Sequence, residues 1–380
     1  MKKGKTKVWI ATMLAAAMLG GCGGGNSSNS DSTEAQSQVG EKYTVTFYDS
    51  DGKTVLDTKE VKAGECVEEF EPEKGDSTFV GWYATPQMNH RFDFSTKITS
   101  DTSVFGGFVS YQEDTRRWAI VGSGSSQALL ESNWGKVIND AQTLKKEDVE
   151  GVNEYTITLD LMEGDEFQFA IDESWSDQRG FGYLDGIEKD GVEYFENSGS
   201  LGDAKVKKAN IKVAVPGNYT FTLTTYPSED YYDTEDEYYK EESKESFNYS
   251  NYDCITWTYN GESSSAGVEC QTDYYIKGAV ITDWKDVYSD ETKFTEKDGI
   301  YTLTIDLTKD DEFLFTTLLT SGENQSVGNE YVRFTNIAAD DKDTLACISE
   351  GSSANMVAAK DGKYTFTYDP KTKVLQASCQ

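Results

Sequence analysis

The chain is 380 residues long and carries 67 acidic against 35 basic side chains, a formal net charge of −32 with a single histidine. A charge of that size repels nucleic acid, anionic lipid and acidic polymers, which leaves a neutral partner or a cation. Five prolines, and no sustained apolar stripe of period 3.6, argue against a helical core.

At the start, Lys2, Lys3, Lys5 and Lys7 precede the apolar run Val8 to Leu19, which stops at Leu19-Gly20-Gly21-Cys22. A charged start, a short apolar run and small residues before a cut are the marks of a secretory signal, and the run is too short for a permanent membrane helix. The arrangement looks like a bacterial lipobox. That resemblance implies cleavage after residue 21, lipidation of Cys22, and an extracytoplasmic protein whose only membrane contact is its lipid anchor. The mature chain would keep 31 basic and 67 acidic side chains, a charge near −36. Residues 22–41 hold little but Gly, Ser, Asn, Gln and acids. Such a segment reads as a flexible tether, with a root-mean-square reach on the order of 25 Å at roughly 5–6 Å per square-root residue.

Residues 42–112 begin with the alternating strand Tyr43 to Phe47, the turn Asp49-Ser-Asp-Gly52 and a second strand from Val55 to Val61, a hairpin pattern. The succession VTFYDSDG, VKAGECV, FVGWYATP and FDFSTKITSDTSVFGGF resembles the internalin B-type, or Listeria–Bacteroides, repeat. The resemblance implies a small β-grasp-like module used on bacterial surfaces as a spacer or for protein contacts. The closing Val104-Phe-Gly-Gly-Phe108 departs from that family's aromatic ending but keeps the apolar alternation. Trp82 is expected in its core.

The rest of the chain is duplicated. Asn153 to Phe169 reads NEYTITLDLMEGDEFQF and Gly299 to Phe315 reads GIYTLTIDLTKDDEFLF, nine identities in seventeen positions. Ala119-Ile-Val-Gly122 and Trp134 answer to Tyr275-Ile-Lys-Gly278 and Trp284, and Gly217 to Thr222 answers to Gly362 to Thr367. Tyr155, Ile157, Leu159 and Leu161 fall on one strand face, with Phe167 and Phe169 following the Glu163-Gly164-Asp165 turn. The expected fold is therefore mainly β, the small repeat followed by two tandem Ig-like β-sandwich modules at 116–261 and 272–380. By comparison with the second copy, Ile255 to Tyr259 is the return strand of the first. Residues 227–253 then become a hairpin insertion dense in acid and Tyr, read as a solvated loop. Asp230, Asp233, Glu235 and Asp236 offer oxygen ligands for calcium, but the loop lacks the spacing and turn glycine of a known calcium loop, and no metal or other cofactor is assigned.

Beyond Cys22 five cysteines remain, an odd number without metal-site spacing; Cys347 with Cys379 and Cys254 with Cys270 are the bridges open to them. His90, alone in the repeat, has no nucleophile or metal-ligand grouping around it, so no catalytic residue is assigned.

The first duplicated copy is similar to starch-binding modules of the glucoamylase and SusE/SusF kind. A strand ending in Gly122 leads to a loop with Trp134, and a later Phe167-Gln168-Phe169 strand leads to an aromatic loop with Trp175. The resemblance implies a Trp134 and Trp175 platform for an α-glucan, assisted by Gln168. A pyranose has an apolar C–H face and a hydroxyl rim, so flat exposed aromatics with amides beside them suit it. Asn133 beside Trp134, and Tyr183 in a polar stretch with Ser174, Ser176, Asp177, Gln178 and Arg179, join the candidates. In the second copy Trp284 is retained and Leu314 stands where Gln168 stood; two readings stay open, Tyr331 with Asn329 in place of the missing Trp, or a second module that is structural only. For Trp134 edge packing remains open beside the platform role, and Trp257 is expected in the core. The partner expected is a neutral polysaccharide, starch or maltooligosaccharide; the competing reading is an adhesin whose modules contact other surface proteins.

Overall fold

The computed structural model describes residues 41–86, 88, 91–171, 175, 177–199, 208–227, 232, 234, 239–241, 244 and 250–380. The leader with Cys22, the tether up to residue 40, His90, Ser174, Ser176 and the calcium candidates Asp230, Asp233, Glu235 and Asp236 lie outside the described residues. Among the described residues no helix is long and apolar enough to cross a membrane.

Four strands, β1 (Lys42–Tyr48), β2 (Val55–Lys62), β3 (Thr78–Tyr83) and β4 (Thr102–Val109), form the first sheet in the order β2-β1-β4-β3. Its central pair, β1 and β4, is parallel and the outer pairs are antiparallel. Val45, Phe47 and Val104 bury one face, and Trp82 packs edge-on against Phe47 while its indole N–H donates to the Phe70 carbonyl at 2.8 Å. The indole thus buries its apolar body without leaving its donor unpaired.

The first sandwich contains β5 (Trp118–Ser123), α1 (Gln127–Ser132), β6 (Lys145–Lys146), β7 (Asn153–Leu161), β8 (Glu166–Ile171) and β9 (Gln178–Arg179). A small hairpin of β10 (Glu188–Lys189) and β11 (Val192–Glu193) follows, then β12 (Phe195–Asn197), β13 (Ile211–Val213), β14 (Gly217–Thr225) and β15 (Cys254–Gly261). One sheet runs β12-β13-β8-β5 with β9 beside β8, and the other runs β15-β14-β7-β6.

The second sandwich repeats this plan. It comprises β16 (Gln271–Gly278), β17 (Thr295–Lys297), β18 (Ile300–Leu307), β19 (Glu312–Ser321), β20 (Asn324–Val327), α2 (Lys342–Leu345), β21 (Ile348–Glu350), β22 (Met356–Ala358), β23 (Gly362–Asp369) and β24 (Val374–Cys379). Its sheets are β16-β19-β22-β21, with β20 on β19, and β17-β18-β23-β24.

The duplication extends to ring geometry. Phe167 and Phe169 lie 5.4 and 5.6 Å from Phe221, and Phe313 and Phe315 lie 5.4 and 5.1 Å from Phe366, all edge to face. Alternation sends these side chains inward from both sheets, so each core is a stack of aromatic rings between two layers. Trp257 is half-buried against the same core, 5.1 Å from Phe195.

The 227–253 insertion differs from the expected solvated loop at its end. Ser250, Tyr252 and Asp253 are buried, and the Tyr252 ring meets Tyr83 of the repeat at 5.6 Å. Tyr252, Tyr83, Met88 and Val109 thereby form an apolar seam between the repeat and the first sandwich. The last residues of the insertion are therefore packing material, because they supply the surface on which the repeat rests.

Beside that seam Asp114 accepts from the Arg116 guanidinium at 2.8 Å and from the Thr225 hydroxyl at 2.6 Å. Burial alone would raise its carboxyl, but the bonds from Arg116 and Thr225 outweigh this and hold it at about 2. A carboxyl depressed on folding stabilises above its unfolded value and loses that contribution as pH falls through the folded value. The expected result is about 2 kcal/mol of stability lost between roughly pH 4 and 2. Urea unfolding across that range would check it; Asp114→Asn should flatten the pH profile there, and an equally steep profile in the variant would refute the assignment.

Candidate functional site

The outer face of the β5 and β8 sheet is where the candidate residues meet. Antiparallel pairing sets Ser123 opposite Glu166, Val121 opposite Gln168 and Ala119 opposite Ala170. Because Phe167 and Phe169 point into the core, Glu166, Gln168 and Ala170 point the other way. Ala119, Val121 and Ala170 form an apolar floor on this face, and Trp175 packs on it with Ile138.

Trp134 reaches the same face through an unusual turn. The short helix α1 ends at Asn133, which has φ +44°, and Trp134 follows with φ +56°. Consecutive left-handed non-glycine residues cost of order 1–3 kcal/mol each and persist only where surroundings over-determine them. Here the Trp134 N–H donates to the Gly122 carbonyl at 2.8 Å, and the Ser132 hydroxyl accepts from the Gly135 N–H at 3.1 Å. The second copy holds the same turn: Asp283 and Trp284 have φ +52° and +57°, and the Trp284 N–H donates to the Gly278 carbonyl at 3.1 Å. The strand-ending glycines have a steric reason, since a Cβ on Gly122 would lie 2.1 Å from the Glu166 carbonyl oxygen and one on Gly278 2.5 Å from that of Glu312.

Trp175, with φ +58°, donates its indole N–H to the Trp134 carbonyl at 2.9 Å. The two rings lie 6.0 Å apart at an interplanar angle of 37°, and both are half-buried. This pair, floored by small apolar residues, is a shallow aromatic cradle. The Trp175 indole donor is already occupied, so what Trp175 offers a ligand is ring face and edge.

The polar companions differ from the expected ones. Gln168 is only 3% exposed; its amide donates to the Asn210 side-chain oxygen at 2.7 Å while its own oxygen has no partner. Asn210 in turn donates to Glu166 at 3.3 Å, and both of those side chains are half-buried. Burial pushes the Glu166 carboxyl up, against bonds from Ser198 and Asn210. Gln168 is therefore the buried end of a polar ladder whose accessible members are Asn210 and Glu166. Asn210 was not among the sequence candidates, although it precedes Ile211 and Val213, whose inward alternation puts it on the outer face.

Tyr183 is a correction. It is 3% exposed, sits in the core of the first sandwich, and has the Arg179 guanidinium 5.2 Å over its ring. Asp177 and Arg179 are paired with each other, which is why these charges occur beside a buried ring. Asn133 is occupied structurally, its side-chain oxygen accepting the Val327 N–H at 3.0 Å.

In the second copy Trp284 is half-buried, but among the described residues no aromatic ring stands beside it as Trp175 stands beside Trp134. Leu314 is buried where Gln168 stood, and Tyr288 covers Tyr275 on that face at 4.9 Å. Tyr331 is 43% exposed with the Arg333 guanidinium 5.5 Å over its ring. The structure thus unites Trp134 and Trp175 and leaves Trp284 apart.

No group of three metal-ligating side chains occurs among the described residues. A cavity of about 210 Å³ lies away from the tryptophans, between the repeat and the first sandwich, where Tyr83, Arg91, Asp185 and Cys254 line it.

Residues 43–105 match the Listeria-Bacteroides repeat domain family. A protein of Evansella cellulosilytica named "Putative membrane protein" is 27% identical over 105 residues, covering 28% of this chain and 16% of that relative. The chain therefore spans about one sixth of the length of that relative. The solved structure of SusF from Bacteroides thetaiotaomicron aligns with 89% of this chain and 76% of its own at 12% identity, with a TM-score of 0.22. Two chains aligned at that score do not share a superposable geometry, so the functional reading rests on the side chains of this chain.

Proposed function

We propose that this chain is a lipid-anchored extracytoplasmic protein that binds a neutral polysaccharide, an α-glucan of the starch type, on the outer face of its first sandwich. The observation that carries the reading is the Trp134 and Trp175 pair, 6.0 Å between ring centroids and held by strained backbone over an apolar floor. An open cradle of this kind accepts the flat face of a sugar within a polymer, where a closed pocket would accept only an end. Asn210 and Glu166 supply hydrogen-bonding partners for the hydroxyl rim. The net charge of −32 fits a neutral polymer, which meets no electrostatic barrier. The leader and Cys22 support the anchor, and the name of the Evansella relative is in keeping with a membrane location. No catalytic role is proposed.

The test is native electrophoresis of residues 41–380 in gels containing amylopectin, glycogen, dextran or xylan, alongside Trp134→Ala and Trp175→Ala. The protein is expected to be retarded by amylopectin and glycogen alone, and each variant to migrate freely. Unchanged migration of the parent in all four polymers would overturn the reading.

A further inference from the structure

The two sandwiches are docked directly onto each other at the edge of the candidate site. The Ser326 hydroxyl donates to that of Ser123 at 2.8 Å, and the Asn329 amide donates to the Ser123 carbonyl at 2.9 Å and the Gly164 carbonyl at 3.4 Å. With the Val327 to Asn133 bond, this fixes the end of β20 and the segment after it against the end of β5 and the turn that carries Trp134.

The direction of Tyr331 follows from its neighbours. Glu330 turns into the second sandwich, where its carboxylate accepts from the Tyr274 hydroxyl at 2.7 Å and the Tyr368 hydroxyl at 2.5 Å, and Val332 is fully buried in the same core. In extended chain successive side chains alternate, so Asn329 and Tyr331 project the other way, toward the first sandwich. Asn329 is bonded to the Ser123 carbonyl and Ser123 lies opposite Glu166 across β5 and β8, so Tyr331, two residues on, comes to the Glu166 end of that face. Glu166 is two residues from Gln168 on β8, about 7 Å along the strand, and Gln168 lies opposite Val121 beside the Trp175 floor. The same region leaves two buried amide oxygens, those of Gln168 and Asn329, without donors.

We infer that the two sandwiches build one composite glycan site, in which Tyr331 of the second provides a further aromatic subsite in line with the Trp134 and Trp175 pair of the first. The inference rests on the glycan reading above and deepens it: one strand crosses the seam, and the duplicated modules do not act as two separate binders. Asn329 is the positioning residue that aims Tyr331.

Titration calorimetry of residues 41–380 with maltotriose and maltoheptaose tests this. One site per chain is expected, with maltoheptaose binding more tightly than maltotriose. Tyr331→Ala should weaken maltoheptaose by about 3–10-fold and erase the length preference, as loss of one aromatic contact predicts. Asn329→Ala should shift affinity the same way, and Trp284→Ala should stay within about twofold of the parent, the spread expected when no contact is lost. Binding abolished by Trp134→Ala yet untouched by Tyr331→Ala, or two sites of which one is lost with Trp284→Ala, would overturn the composite site and leave the glycan reading standing. No binding of either sugar by the parent would overturn both. Thermal unfolding at the parent midpoint separates these outcomes from a folding defect.

Discussion

Arg179→Ala is expected to cost about 3–5 kcal/mol of unfolding free energy, the penalty of leaving buried charge without its counter-ion. The guanidinium is fully buried and bonds Asp253 at 2.7 Å, Asp177 at 2.5 Å, the Ser250 hydroxyl at 2.7 Å and the Gln178 carbonyl at 2.8 Å. Trp118 and Tyr183 lie on it at 5.1 and 5.2 Å, so the planar cation is held by rings as well as by acids. Removing it strands two buried carboxylates, of which Asp177 keeps Arg116 at 2.8 Å and Asp253 keeps the Tyr226 N–H at 2.8 Å. Lysine should not rescue the site, because one ammonium cannot reproduce a planar fork that serves several acceptors at once.

The second sandwich shows the apolar alternative at the equivalent place: Arg179 pairs with Phe169, and Val332 with Phe315. A uniform core is thus attainable without an ion pair, and the charge in the first copy is tied to a local task. That task is to clamp Ser250 and Asp253, the end of the insertion whose Tyr252 supports the repeat. Arg179→Ala should therefore lower the urea midpoint and also expose the junction near residue 250 to limited proteolysis. A variant that unfolds at the parent midpoint would refute this account, and a lowered midpoint with the junction still protected would refute the clamp alone.

The same cluster explains what was and was not legible in the sequence. The internal repeat, the strand alternation and the glycine before each tryptophan loop all reflect local rules, and they led to a mainly β chain with two sandwiches. The Trp134 and Trp175 pairing was readable because both residues flank short polar loops on one strand pair. Tyr183 reads as a loop residue in the sequence because Asp177 and Arg179 look like surface when taken singly, yet they neutralise one another in the interior. Alternation with Phe167 and Phe169 puts Gln168 on the outer face but says nothing of what covers that face. There it bonds Asn210, which is 42 residues away in sequence. The docking of the second sandwich was invisible for the same reason: Asn329 and Ser123 are 206 residues apart, and no local pattern marks their bond.

Reduction of the Cys347–Cys379 disulfide is expected to remove about 3–4 kcal/mol from the second sandwich, the loop-closure entropy of its 32-residue separation. The bridge joins the last strand, β24, to the segment before β21 in the opposite sheet, so it restrains both layers of the core at the chain's end. Cys66, Cys254 and Cys270 are free among the described residues, and the first sandwich has no bridge of its own. Only one of two unfolding transitions should therefore move in reductant, and Cys379→Ser should reproduce the shift without it. Identical midpoints in oxidised and reduced protein would show that the bridge contributes nothing. A stabilising disulfide belongs in an oxidising compartment, in keeping with the proposed extracytoplasmic location. It also bears on binding, because the segment that presents Tyr331 is mounted on this sandwich while the tryptophan pair is not. Reduced protein warmed past the lower transition should bind maltoheptaose with the weakened affinity of Tyr331→Ala. Complete loss of binding at that point would mean that the second sandwich holds the tryptophan turn itself in place, through Val327 and Asn133.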